Sequence, residues 1–378
     1  MPFFSARLQS IFKTRSPWLA CPLILVAVFA LDSLLFDASP YSSYLAPAST
    51  TGLFELTLLR ERVMQRQSGD NLVAMYGDSR MGCQPRLANE LTPQTGLVFR
   101  MAGMAGTDPR TWYYMLRDLD PTARRYRAIL IGVNSYYDQD TYYHHDDDIR
   151  ALHYSIARLR FSDVPAFALS FHTPSLRWEA FRGALFKGLV YQADLQDFLS
   201  DPKARIDYVL FTRTGMEQWT YNWDETDRSM AGLQIDWATR TATFPPGLDQ
   251  NQHDTVTDSI AAPPPPDGRD HAFRREWYGK ILDRYRNSRT KIIFVHLPRG
   301  PIPPPDSLEP KLTSAIMEFA SRPNVSLYPE HAFDSLERPE LFKDGVHLNR
   351  EGIARFSHML AQGVASMLGT APRPQGGK

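Results

Sequence analysis

The stretch Leu72-Val73-Ala74-Met75-Tyr76-Gly77-Asp78-Ser79-Arg80 decides the fold. Its first part is an apolar run of strand length without polar alternation, as a strand buried on both faces requires. Gly77 and Asp78 suit a tight turn. Ser79 therefore stands where a strand hands over to a helix, which Met81, Leu87 and Leu91 place at about 81–91. The N-terminus of such a helix faces developing negative charge. Asp and Ser are also the ordinary caps of any helix, so this triplet alone does not establish chemistry.

Similar runs recur along the chain. Strands are predicted at about 96–100, 128–133, 291–297 and 324–328, with helical patterns at about 109–118, 271–288, 308–321 and 350–368. Apolar strands alternating with helices predict an α/β fold, a parallel sheet covered on both faces. A long insertion, about 136–270, interrupts the alternation between strands three and four. Its part at 150–200 reads as helical and aromatic, and the rest is polar and ends in Pro263-Pro264-Pro265-Pro266. Ligands of such sheets bind outside the strand carboxyl ends, so a cap there would shape substrate choice.

The chain has 378 residues and a formal net charge of zero, which argues against a nucleic-acid binder. Arg7, Lys13 and Arg15 precede an apolar segment, Pro17 to Phe36, whose single charge is Asp32. About 20 apolar residues suffice for a membrane span. Positive charge on the N-terminal side alone predicts a cytoplasmic tail (1–16), a single-pass anchor (17–36), a juxtamembrane linker and helix (37–65) and a body (66–378) outside the cytoplasm. A cleaved secretory signal is the alternative and places the body on the same side. Cys21 lies inside the span and Cys83 in the body, so no disulfide framework is expected.

The second chemical fragment is Lys343-Asp344-Gly345-Val346-His347-Leu348-Asn349. Residues three apart share a helical face or turn. Asp344 can therefore hold the His347 imidazole in one tautomer and stabilise its protonated form. With Ser79 they make up a serine acyl-transfer triad. Such a site also needs donors for the developing oxyanion. Met101-Ala102-Gly103-Met104-Ala105-Gly106-Thr107-Asp108 follows strand two and offers glycine N–H groups, and Gly132-Val133-Asn134-Ser135 ends strand three and offers the Asn134 amide.

In this order the four blocks resemble the SGNH (GDSL) hydrolase superfamily, over about residues 72–368. The resemblance implies a flavodoxin-like three-layer α/β/α sandwich. It implies Ser79 as nucleophile, His347 as base and Asp344 as its partner. It implies an oxyanion hole of the Ser79 N–H, a glycine N–H and Asn134. Gly106 is the preferred glycine, because Gly106-Thr107 precedes the next helix as the family's glycine does, and Gly103 is the reserve. Two positions depart from the family pattern: Ser135 stands in place of its usual aspartate, and Arg100-Met101 replaces the asparagine that normally comes shortly before the glycine. In layout the chain is similar to the D-alanyl transfer protein D of teichoic-acid systems and to periplasmic polysaccharide O-acetylation proteins.

These features point to serine-dependent acyl transfer or ester hydrolysis, on O-acetyl or other O-acyl groups of a cell-envelope glycan, at the outer face of a bacterial inner membrane. The partners implied are that glycan or acylated substrate, a multi-span membrane O-acyltransferase and, through the N-terminal helix, the membrane itself. No cofactor, metal or nucleic acid is called for. The alternatives are an esterase or lipase acting on small or lipid esters, and a non-catalytic acyl- or glycan-binding partner of a membrane acyltransferase. The run from Tyr136 to Asp148 is dense in acidic and imidazole side chains but has no metal-ligand spacing, so it is expected to be a polar loop. Arg299, after strand four, is a candidate for binding an anionic group or a solvated loop residue.

Overall fold

A computed structural model describes residues 17–36, 40–67, 69, 71–82, 84–133, 145–214, 226–261, 268–305 and 315–370, the side chains of 17–19, 40, 67, 145–148, 214, 268–270 and 315 excepted. Asn134, Cys83 and the run 135–144 lie outside these residues. The chain divides into two compact units, one of residues 1–56 and 152–213, the other of residues 57–151 and 214–378.

The second unit is built on the five strands read from the sequence: β1 (Leu72–Tyr76), β2 (Val98–Met101), β3 (Ala128–Val133), β6 (Lys291–His296) and β7 (Val325–Leu327). A separate small hairpin, β4 (Gln234–Asp236) and β5 (Thr241–Thr243), lies between β3 and β6 in sequence. All pairs in the main sheet are parallel, in the order β2-β1-β3-β6-β7. The chain therefore winds outward from β1 in both directions. Such sheets bind ligands at the carboxyl ends of the strands where the order reverses, here β1 and β3.

Every residue of β1 and β3 is buried, which explains why both read as continuous apolar runs. Val73, Met75, Leu130 and Ile293 pack on one face with Ile353, Phe356, Leu360 and Val364 of the helix Arg350–Met367. The other face carries Phe294, whose ring meets Tyr278 edge-on at 5.2 Å, on the helix Gly268–Arg284. Trp112 of the helix Pro109–Leu119 approaches Tyr278 in turn. The sheet is thus covered on both sides, as a parallel sheet must be to satisfy its apolar surface. Helix starts follow local chemistry. Asp108 accepts the Thr111 N–H at 2.7 Å ahead of Pro109, and Asn349 accepts the Gly352 N–H at 3.0 Å.

The first unit is helical: Pro17–Phe36, the first half of Thr50–Gln67, Val164–Leu169, Pro174–Leu185, Gly188–Ser200 and the helix that begins at Pro202. Asp194 ties it together, accepting from the Tyr41 hydroxyl at 2.8 Å, the Ala46 N–H at 3.0 Å and the Arg205 guanidinium at 3.1 Å. Among the described residues no helix is long and apolar enough to cross a membrane.

The stretch 136–270 divides between the two units. Residues 152–213 belong with the N-terminal residues, whereas 214–270 belong to the sheet unit, where Met230, Leu233, Val256 and Ile260 enter the main core. The helix expected at 81–91 is broken. A single 3-10 turn, Ser79–Met81, is stopped by Gly82 in the left-handed conformation, and a new short helix, Pro85–Asn89, starts at a proline. Gly and Pro here override the apolar spacing of Met81 and Leu87.

Candidate active site

β1 delivers the chain to Gly77, and Asp78 caps the 3-10 turn by accepting the Arg80 N–H at 2.8 Å. Ser79 is the first residue of that turn and is half-buried. A three-residue turn has no helix macrodipole to offer, so the dipole assistance expected from the sequence is absent at this point.

The loop after Phe342 brings Asp344 and His347 to the same place. His347 Nε2 lies 2.9 Å from Ser79 Oγ. Its Nδ1 lies 2.9 Å and 3.0 Å from the two carboxylate oxygens of Asp344. Both are hydrogen-bond distances. The three side chains therefore form one continuous chain of hydrogen bonds from a buried carboxylate to a serine hydroxyl. Asp344 also accepts the N–H groups of Val346 at 2.9 Å and of His347 at 2.8 Å. Burial pushes its carboxyl up, but the hydrogen bond and charge of His347 and these two backbone donors outweigh that and hold it below the usual carboxylate range. An ionised Asp344 next to Nδ1 puts the proton on Nδ1 and leaves the Nε2 lone pair facing the serine.

The stretch after β2 packs directly on the Ser79 turn. A methyl group on Gly103 would stand 2.6 Å from the Gly77 nitrogen, so only glycine allows the two backbones this close. The Gly103 N–H donates to the Met75 carbonyl at 3.1 Å and is thereby engaged. Gly106 turns the chain with φ +64°, and the Arg150 side chain lies over it, its Cδ 3.1 Å from where a Cβ would be. Thr107 donates to the Met104 carbonyl at 2.6 Å and accepts from Trp112 Nε1 at 2.8 Å, which pins the end of this loop to the following helix.

The histidine loop has supports that the sequence did not announce. They come from the helix Gln250–Ile260, part of the stretch read as an insertion. Thr255 Oγ1 accepts the Gly345 N–H at 3.1 Å, and Gln252 Nε2 donates to the Lys343 carbonyl at 2.6 Å. A Cβ on Gly345 would stand 2.6 Å from the Val256 nitrogen, so this loop lies flat on the helix backbone. Within the loop, the Lys343 N–H donates to the His347 carbonyl at 2.9 Å. The only hint in the sequence was the capping box of Asp249 and Gln252, which marks a helix but not its target.

Arg299 does not serve as an anion site. Its guanidinium makes a two-pronged pair with the buried Glu337, Nε at 2.9 Å and Nη2 at 2.5 Å, and its own N–H donates to the same carboxylate at 2.9 Å. The charge is already neutralised in an Arg–carboxylate fork. No cluster of His, Cys, Asp and Glu able to hold a metal occurs among the described residues. The polar run 136–144 and Asn134 fall outside them, as do the side chains of 145–148.

No protein-family model matches this chain, and no curated protein matches it.

Proposed function

We propose that this protein is a serine acyl-transfer enzyme of the SGNH type, with a flavodoxin-like sandwich, anchored by Pro17–Phe36 and acting on O-acyl groups of a cell-envelope glycan outside the cytoplasm. The observation that carries the chemistry is the unbroken Ser79–His347–Asp344 chain of hydrogen bonds, 2.9 Å at each link. His347 Nε2 takes the Ser79 proton as Oγ attacks the ester carbonyl. The tetrahedral intermediate collapses with return of that proton to the leaving alcohol, and an acyl-enzyme remains. Water or a glycan hydroxyl, deprotonated in turn by His347, then takes the acyl group. Asp344 stays ionised throughout and stabilises the imidazolium.

Oxyanion donors follow from the resemblance: the Ser79 N–H, Asn134 and a glycine. Since the Gly103 N–H is engaged by Met75, Gly106 is the donor in this reading. The placement outside the cytoplasm rests on Arg7, Lys13 and Arg15 ahead of an apolar segment with one charge. A multi-span membrane acyltransferase would supply the acyl group.

The test is mass spectrometry of the intact protein after incubation with small acyl esters. Wild type should gain one acyl mass on the peptide containing Ser79, and Ser79→Ala should gain none and lose esterase turnover by about 10⁴-fold or more. An unacylated Ser79, with full biological activity of Ser79→Ala, would instead establish a binding protein.

A further inference from the structure

We propose that the helix Pro174–Leu185 and the following Phe186–Leu189 turn form a second membrane-contact surface, seated in the outer leaflet beside the N-terminal helix. The inference rests on the reading that Pro17–Phe36 spans the bilayer, and adds to it that the first unit is itself partly immersed.

Specific side chains hold the two segments together. Asp32, the single charge of the apolar helix, accepts the N–H groups of Lys187 at 2.9 Å and Gly188 at 2.8 Å, the start of the helix Gly188–Ser200. The ring of Phe29 meets Phe186 edge-on at 5.8 Å, and Phe36 meets Tyr191 at 5.2 Å. A helix rises about 1.5 Å per residue, so Phe29 lies roughly 10 Å along the axis from Phe36. With Phe36 at the outer end of a span about 30 Å thick, Phe186 is carried about 10 Å below that end. The turn that bears it must follow.

The surface around this turn has the composition such a position demands. Trp178 is 62% exposed and stacks on Phe181 with ring centroids 5.9 Å apart. Trp178, Phe181, Arg182 and Leu185 recur at helical spacing on one face, and Leu189 continues it with 53% exposure. An exposed stack of Trp and Phe with an adjoining Arg is the pattern of a helix lying at the headgroup level, where the ring enters the acyl region and the guanidinium reaches phosphate. The charge at the turn itself is withdrawn: Lys187 is buried, and its Nζ donates to the Leu159 carbonyl at 3.3 Å. The apolar helix alongside exposes Leu23, Ile24, Leu25, Val26, Val28, Leu31, Leu34 and Leu35, and the Phe29–Phe186 contact joins it to the turn, so the two call for the same solvent. That solvent is lipid.

The experiment uses the full chain with Cys21→Ser and Cys83→Ser, reconstituted in phosphatidylcholine–phosphatidylglycerol vesicles. Single cysteines at Leu25, Phe181, Leu189 and, as a control, Thr257 carry an environment-sensitive fluorophore, and quenching by brominated lipid is read at each. All four positions are exposed or surface-facing, so the variants retain the core. Leu25, Phe181 and Leu189 should show blue-shifted emission and quenching several-fold above that of Thr257. A quenched Leu25 with water-like Phe181 and Leu189 overturns the immersed surface while leaving the span intact. The same outcome with Phe181 and Leu189 shielded from both lipid and aqueous quencher would assign the face to a protein partner or a second copy, again against the proposal. A water-like Leu25 removes the span, and the proposal with it.

Discussion

Ser79 and His347 meet at one point but are held there by unlike means. The Ser79 turn is the continuation of a central strand. Its position follows from β1, from the Asp78 cap and from the backbone of Gly103 pressed against Gly77. The Asp344–His347 loop leaves no strand of the sheet. It is fixed by its own internal hydrogen bonds and by a helix some ninety residues earlier, through Thr255 and Gln252. A nucleophile on a strand end moves only if the sheet moves. A base on a loop is as well placed as the element beneath it. The second half of the middle stretch therefore positions His347 against Ser79, whatever else it contributes.

The sharpest way to break the comparison is inside the loop. Asp344→Asn removes the carboxylate that sets the imidazole tautomer, and ester turnover should fall by about 10³–10⁴-fold while the fold is kept. A fall of less than tenfold would mean that Asp344 is a structural cap only. Next come the glycines. Gly345→Ala puts a methyl against the backbone of Thr255 and Val256, and lifting the loop by about 1 Å should cost on the order of 10²-fold in kcat. Gly103→Ala makes the matching test at the nucleophile. Because the sheet resists displacement, its main cost should be stability, about 1–3 kcal/mol by urea unfolding, rather than a selective loss of turnover. If both variants lost stability and activity in the same proportion, the distinction between the two supports would be gone.

Smaller effects sharpen it further. Thr255→Val and Gln252→Ala each remove one hydrogen bond to the loop, about 1 kcal/mol of loop stability apiece. They should lower the rate at which a fluorophosphonate probe labels Ser79 by about tenfold or less, with the unfolding midpoint almost unchanged in Thr255→Val and lowered in Gln252→Ala, which also loses the cap bond to the Asp249 N–H. The smallest effect is a pH signature. Because the Asp344 carboxyl is held below its ordinary value in the fold, its ionised form contributes stability above about pH 4. That contribution is lost as pH falls through the lower folded value. Asp344→Asn should therefore lower stability by a constant amount through the neutral range and flatten the acid limb, so that its difference from wild type shrinks below about pH 4, measured by urea unfolding.

Much of this was legible residue by residue. Apolar runs bounded by turn residues located all five strands of the parallel sheet, most plainly β1 and β3, because a strand buried on both faces has little freedom in composition. The Asp344–His347 spacing foretold a contact closed at 2.9 Å, because three residues of a turn hardly allow another geometry. Local patterns misled where two signals competed. Met81 and Leu87 suggested one helix, but Gly82 and Pro85 cut it. Arg299 read as a cation at the sheet edge, but Glu337, 38 residues later, claims it.

The sequence by itself determined the sheet and the alternation of layers and singled out Ser79, Asp344 and His347 as candidates, since each depends on neighbours within a few positions. Only the tertiary structure decided that His347 reaches Ser79, that Gly103 commits its N–H to Met75, and that the helix Gln250–Ile260 supports the His347 loop. It alone divided the middle stretch between two units. Those outcomes depend on pairs far apart in the chain, and short-range periodicity carries no record of which distant backbone a glycine or a carbonyl will meet.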